Sequence, residues 1–400
     1  MMLSDPQDLV PDVRRIAVLR ANALGDFIFA VPALTALRAA YPQAELVLLG
    51  APWHARWLNP RAAAERPGSV DRVLVVPAAD GIRAGEPAEP AGPAAMAEFL
   101  AAARRERFDL AVQLHGGGRN SNPLIAQLGA RVTAGLRAVD APALDRWVRY
   151  VYYQPEVFRY LEVAALLGAE PVTLLPHVPV TSADRAEADR VLGPVRQPRA
   201  VLHPGASDPR RRWPAERFAA VADALTDRGF EVLVTGTGPE REVVEQVAAA
   251  AARPLRVVLD ELSLGGLAGL LAGSAVLVAN DTGPLHLAAA VGTATVGVYW
   301  IGNLLNGAPP VRGRHRPLAA FTIHCPVCGQ DVSTVGFPAR GGADSCGHRE
   351  SFVIDVPVAE VLEAVLELTC STGTSGGGPG TGGVQPDLIG EQFADVIGQR

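Results

Sequence analysis

One local pattern recurs along the chain: a short β-branched apolar run, a turn holding small or acidic residues, then a helical stretch. Strands that alternate with helices build a parallel sheet covered by helices on both faces. In the first half the runs are RRIAVLRA, AELVLLGA, DRVLVVPA, FDLAVQLHG and RVTAGL, with a helical pattern such as Ala94–Glu106 between them. The stretch PVTLLPHVPVTSADR breaks the rhythm with prolines at 171, 176 and 179, and a helix at Ser182–Leu192 follows. The pattern then restarts with AVLHPG, FEVLVTG, LRVVLDE, AVLVAND and ATVGVYW, with helices expected at Pro214–Arg228, Pro239–Ala252, Leu264–Ala272 and Pro284–Val291. The simplest reading is two α/β halves, residues 1–180 and 198–356. A last amphipathic helix, 357–369, is free to pack on either half, including back on the first. Residues 371–400 start as a Gly-rich segment expected to be flexible.

The composition, 48% hydrophobic and 20% charged, is that of a folded protein, and no apolar run reaches the about 18 residues of a membrane span. The N-terminus lacks the basic start and apolar core of a signal peptide, so the expected location is cytoplasmic, with at most peripheral membrane contact. A net charge of −6 argues against a nucleic-acid partner. All 36 basic residues are arginine. An arginine where lysine is usual therefore carries little information of its own.

Three strand-to-helix turns carry chemistry. In VLVANDTGPLHLAAAVG (Val276–Gly292) a buried run ends at Asn280-Asp281, and Thr282-Gly283-Pro284 opens a helix. The free N–H groups of that turn and the Thr282 hydroxyl form an anion site, with His286 as a further donor. The alternative is that Asp281 or Thr282 only caps the helix. In AVLHPGASDPRRRWPAERFAAVADAL (Ala200–Leu225), three arginines, Arg210, Arg211 and Arg212, precede a helix. They suit a diphosphate through charge-assisted, bidentate bonds, or form a solvated basic turn. In VLVTGTGPEREVVEQV, Gly236 and Gly238 make a tight turn, and Glu240 and Glu242 lie where a carboxylate holds ribose hydroxyls or simply favours the helix dipole. A fourth turn, in LRANALGDFIFAVPAL, has a single glycine, Gly25, and places Asp26 where a phosphate would otherwise sit.

Together RANALGD, HPGAS…RRWPAERFA, VLVTGTGPER and ANDTGPLHLAAAVGTATVGVY resemble glycosyltransferase family 9, the bacterial ADP-heptose:lipopolysaccharide heptosyltransferases, over roughly residues 14–368. The resemblance implies a GT-B fold, two Rossmann-like domains facing a central cleft. It also implies an inverting transfer that needs no metal. The partners would be a nucleotide-diphospho-sugar donor, ADP-heptose-like, and a glycan or glycolipid acceptor. By that resemblance Asp26 is the catalytic base. His203, Gly205, Ser207, Arg211, Arg212, Gly236, Glu240, Asp281, Thr282, Gly283 and His286 hold the donor. Arg20, Asn22, Arg119, Asn120 and Ser121 are placed on the acceptor side, although the last three equally suit a helix-capping loop. Arg211 stands where many members carry a phosphate-binding lysine, and Pro284 where a small aliphatic residue is more usual. A GT-B epimerase or hydrolase, or a non-catalytic sugar-nucleotide-binding protein, is the alternative.

HGGGRNSN (His115–Asn122) has the look of an esterase oxyanion loop, but a nucleophile elbow in a strand–helix context is missing. Arg131, Arg137, Arg146 and Arg149 suit either an anionic glycolipid or plain solvent. Cys325, Cys328, Cys346 and His348 have the C-x-x-C and C-x-H spacing of a structural zinc, with ordinary thiols as the alternative.

Overall fold

A computed structural model describes residues 8–85, 89, 91–333 and 347–370. The Gly-rich segment 371–400 and Cys346 lie outside the described residues. The first half runs β1 (Arg15–Leu19), α1 (Leu24–Ala40), β2 (Glu45–Gly50), α2 (Pro52–Leu58), β3 (Arg72–Val75), α3 (Pro93–Arg105), β4 (Leu110–Gln113), α4 (Ser121–Ala126), β5 (Val132–Arg137), β6 (Arg146–Arg149) and α5 (Glu156–Ala165). After α6 (Ser182–Leu192) the second half runs β7 (Arg199–His203), α7 (Ala215–Thr226), β8 (Glu231–Gly236), α8 (Arg241–Ala250), β9 (Arg256–Leu259), α9 (Leu264–Ala272), β10 (Val276–Asn280), α10 (Gly283–Ala290), β11 (Ala294–Trp300), α11 (Ile301–Gly307), β12 (His315–Ala320) and α12 (Val358–Cys370).

Each half builds one six-stranded parallel sheet, ordered β3-β2-β1-β4-β5-β6 and β12-β11-β10-β7-β8-β9. Both follow the doubly wound order in which connections leave the central pair in opposite directions. That places a crevice beyond the carboxyl ends of β1 and β4 in one sheet and of β7 and β10 in the other. The central strands read as continuous apolar runs, IAVL and VLVA, because helices cover both faces. Of the four edge strands, β6 and β12 are absent from the sequence reading. RWVR and HRPLAA carry polar residues and a proline, as edges tolerate.

The helix α6 joins the halves. Its face is pressed on α9, where a Cβ on Gly269 would come within 2.2 Å of the Asp184 carbonyl oxygen. Asp184 caps its own helix through Thr181 and also receives two bonds from Arg61 Nη2, at 2.7 and 2.6 Å. Both side chains are buried, so this ion pair fixes the first half to the strut that carries the second. The C-terminal helix α12, which the sequence left free to return to the first half, packs on the second. Val361, Val365 and Leu368 join a core with Trp213, Phe218 and Val296.

Two buried histidines sit neutral in this framework. Burial, with the Arg20 charge adding to it, pushes His54 down to about 3. Its Nδ1 accepts the Ala51 N–H at 2.9 Å. Burial also pushes His315 down to about 3, between the hydroxyls of Thr295 (2.7 Å) and Tyr299 (3.2 Å). Below the ordinary histidine value the unfolded chain binds protons that the folded chain refuses. The stability they contribute is therefore full above about pH 6.5 and is lost as pH falls toward 3. Urea denaturation between neutral pH and about pH 5 will show stability falling by up to about 1.4 kcal/mol per unit for each such histidine, and His315→Gln will flatten the slope. Gly269→Ala will cost about 1–3 kcal/mol in the same assay, because backbone must move to admit the methyl group. Gly273→Ala, whose Cβ finds its nearest neighbours at 3.6 Å, will stay within about 0.5 kcal/mol.

Candidate active site

The switch points of the two sheets face each other through the N-termini of α1 and α10. A Cβ on Gly25 would meet the His286 ring at 2.9 Å, and one on Gly283 would meet Leu24 at 3.0 Å. Only glycine at both positions lets the two turns approach this closely. Asp26, in the first turn of α1, then lines one cavity of about 570 Å³ with Arg211, Arg212, Asp281, Thr282, Gly283 and His286. The sequence separates these groups by some 180 to 260 positions, and the fold brings them together.

Asp26 is held from behind. Arg20 follows β1, is buried, and donates to Asp26 Oδ1 at 2.9 Å and to the Asp26 carbonyl at 2.9 Å. Its other donor reaches the Leu114 carbonyl at 2.7 Å, and its guanidinium lies 4.9 Å from the Tyr160 ring centre. Arg20 therefore orients the carboxylate rather than reaching out to an acceptor. Glu156, from α5, is 3.8 Å from the same guanidinium and also lines the cavity. Burial raises its carboxyl above the ordinary range, against the pull of Arg159 and Arg20.

The opposite wall is built from the second sheet. Asp281 follows β10 and is fully engaged: His286 Nε2 lies at 3.0 Å, Arg211 at 3.3 Å, and Asn303 donates at 2.6 Å. Burial works against its ionisation, but the His286 and Asn303 bonds and the Arg211 charge outweigh it and hold the carboxyl below the usual range. Thr282 occupies the N-cap position of α10 in an extended conformation, yet its side chain makes no capping bond. Pro284 falls in the first turn, where a missing N–H costs nothing. Thr282 and Gly283 thus line the cavity beside Arg211 and Arg212, while the Leu285 and His286 N–H groups are spent on the Thr282 carbonyl at 3.0 and 3.4 Å. Arg211 is steered by Ser207 (2.8 Å) and Arg212 by the Ala206 carbonyl (2.9 Å). Arg210, the first of the three, turns away into an ion pair with Asp208 at 2.6 Å.

A second cavity of about 480 Å³ opens beside the first, and Ala23, Thr237, Glu240 and Gly283 line both. Its lining combines apolar Val258, Leu264 and Leu267 with polar His203, Thr235 and Asp260. Gly205 leaves room for the Glu240 side chain as placed: a Cβ would fall 1.9 Å from its Oε1. Burial opposes the charge on Glu240, but His203 at 3.4 Å and the Thr237 N–H and hydroxyl, at 3.0 and 2.9 Å, win and bring it to about 2. Gly236 lets α8 approach the end of β8, since a Cβ would meet Val244 at 2.6 Å.

The remaining acceptor-side residues lie elsewhere. Ser121 is buried, accepting from Gln113 at 2.6 Å and donating to the His115 carbonyl at 2.8 Å. Asn120 and Arg119 are exposed, with Arg119 3.4 Å from Asp140. The Asn22 carbonyl accepts from Trp53 at 3.1 Å. Asn303 and Glu156 were missed in the sequence. IGNLLNGAPP has no periodicity to mark α11, and Glu156 carries no motif.

Two doubly wound domains facing one cleft define a GT-B glycosyltransferase architecture. The sequence profile of glycosyltransferase family 9 (heptosyltransferase) matches residues 96–305. The chain belongs to this family and is a glycosyltransferase. It is 28% identical over 305 residues to lipopolysaccharide heptosyltransferase 1 of Pseudomonas aeruginosa, covering 71% of this chain and 78% of that one. It is 25% identical over 383 residues to lipopolysaccharide heptosyltransferase 2 of Salmonella typhimurium, covering 90% and 99%. Among solved structures, a family 9 glycosyl transferase from Veillonella parvula superposes with a TM-score of 0.70 at 21% identity, over 92% of this chain and all 100% of that one. The E. coli ADP-heptose heptosyltransferase II superposes at 0.67 with 19% identity, over 90% and 99%. Among the described residues, no helix is long and apolar enough to cross a membrane.

Proposed function

We propose that the protein transfers a heptose-like sugar from a nucleoside-diphosphate donor to a glycan or glycolipid hydroxyl, with inversion and without a catalytic metal. The observation that carries this reading is the shared cavity: a carboxylate from one domain, Asp26, lines it together with Arg211, Arg212 and the Thr282-Gly283 turn from the other. An inverting transfer is one in-line displacement at the anomeric carbon. It needs a base on the face opposite the leaving group. Asp26, held by Arg20, takes the acceptor proton. The departing diphosphate gains negative charge, which Arg211, Arg212, the Thr282 hydroxyl and the N-terminus of α10 stabilise. The nucleoside lies in the neighbouring cavity, its base on the apolar lining and its ribose hydroxyls on the Glu240 carboxylate. Adenine is the base suggested by the heptosyltransferase relatives, since the E. coli heptosyltransferase II is described as using ADP-heptose. Asp281 engages Arg211 and Asn303 and so fixes the sugar and phosphate side together.

Asp26→Asn will lower turnover by about 10²–10⁴-fold while leaving ADP affinity near that of the unmodified enzyme. Arg211→Ala will weaken ADP binding by about 10–100-fold, the worth of a charge-assisted bond. Release of ADP from ADP-heptose, followed with and without a lipopolysaccharide-type acceptor, tests the reaction class. Release that requires acceptor supports transfer. Release without acceptor marks a hydrolase, and none with any sugar nucleotide marks a binder.

A further inference from the structure

After β12 the chain forms a small hairpin that the transfer reaction does not explain. Cys325 N–H donates to the Gln330 carbonyl at 2.8 Å, Gly329 N–H to the Cys325 carbonyl at 2.9 Å, and Val332 N–H to the Ile323 carbonyl at 2.9 Å. Gly329 sits at φ 73°, which closes a tight Cys-x-x-Cys-Gly knuckle. The hairpin is seated on the second-half core through Val332 and Cys325, which are buried, while Ile323 and Val327 are about half exposed, at 48% and 53%.

Three ligand-type side chains gather at the hairpin. The Sγ atoms of Cys325 and Cys328 and a ring nitrogen of His348 all lie within 4.8 Å of one another. The Cys325 Sγ to His348 Nδ1 distance is 3.7 Å. Metal–sulfur and metal–nitrogen bonds of about 2.3 and 2.05 Å at a tetrahedral angle give an edge of about 3.6 Å, so the pair already stands at the spacing of two ligands on one ion. Two thiolates and an imidazole are a soft donor set that favours zinc over magnesium or calcium.

We propose that Cys325, Cys328 and His348 bind one zinc ion, and that the ion fastens this hairpin to the segment that braces the arginine turn. That segment follows His348 directly. Ser351 donates to the Arg212 carbonyl at 2.6 Å, Phe352 N–H to the Arg210 carbonyl at 2.7 Å, and Trp213 Nε1 to the Val356 carbonyl at 2.9 Å. The Thr322 hydroxyl, three residues before Cys325, closes the circuit on the Phe352 carbonyl at 2.9 Å. Loss of the ion frees the hairpin from His348 and slackens the strap behind Arg211 and Arg212. Binding releases the two thiol protons to solvent and changes no oxidation state.

The test uses the full chain, without a polyhistidine tag, expressed with zinc in the medium, and does not depend on any sugar transfer. Elemental analysis is expected to find about one zinc per chain, falling below about a tenth of an equivalent in Cys328→Ser and in His348→Ala. Exchange of zinc for cobalt is expected to give the visible absorption of a tetrahedral thiolate site, absent in Cys328→Ser. Hydrogen exchange across residues 209–213 is expected to quicken in both variants while the amides of β1 and β4 keep their protection. Two outcomes overturn the proposal: less than about a tenth of an equivalent of zinc in the unmodified chain, or full zinc retained in the Cys328→Ser/His348→Ala double variant.

Discussion

The contact between the N-termini of α1 and α10 is the constraint on which the rest of the site depends. Two helix ends that each carry partial positive charge would repel if they met bare. Here each brings its own compensation: Asp26 in the first turn of α1, and Asp281 just ahead of α10, tied to Arg211, His286 and Asn303. Gly25 and Gly283 remove the side chains that would hold the turns apart. The result is a carboxylate and an anion cradle on opposite walls of one cavity, supplied by different domains. The pairing of Arg61 with Asp184 and the close fit of α6 on α9 keep the two walls in register at the other side of the junction.

Much of this was legible in the sequence because it is written locally. A strand, a turn and a helix occupy consecutive residues, so Asp26 and the Asp281-Thr282-Gly283 turn stand out, and the doubly wound order puts such turns at ligand-binding ends. The alternative reading of Thr282 as a mere cap is answered by its side chain, which caps nothing. What was not legible depends on tertiary placement. Three successive arginines look equivalent in sequence, but a single helical turn fans them apart, sending Arg210 to Asp208 and Arg211 to Asp281. Glu156 and Asn303 enter from helices whose own patterns say nothing of the cavity. Strands β6 and β12 escape because RWVR and HRPLAA lack the β-branched apolar run that still marks the other two edges, β3 and β9.

The roles expected for the acceptor side divide in the same way. Arg20 looked like a residue to grip a substrate, but every donor it points inward is used on protein oxygens. Ser121 is consumed within the β4 turn, where Gln113 and the His115 carbonyl hold it. A short polar string after a strand advertises function and internal scaffolding in identical letters, and only burial tells them apart.

The arrangement around Arg20 has one more consequence. Arg20 and Arg159 face Asp26 and Glu156, so the cluster begins with its two cations matched by two anions. When Asp26 captures a proton, that balance tips to a net positive charge on this wall of the cavity. The charge state of Asp26 on one domain is thus coupled through the field to the Arg211 and Thr282 wall that the other domain presents across the cleft.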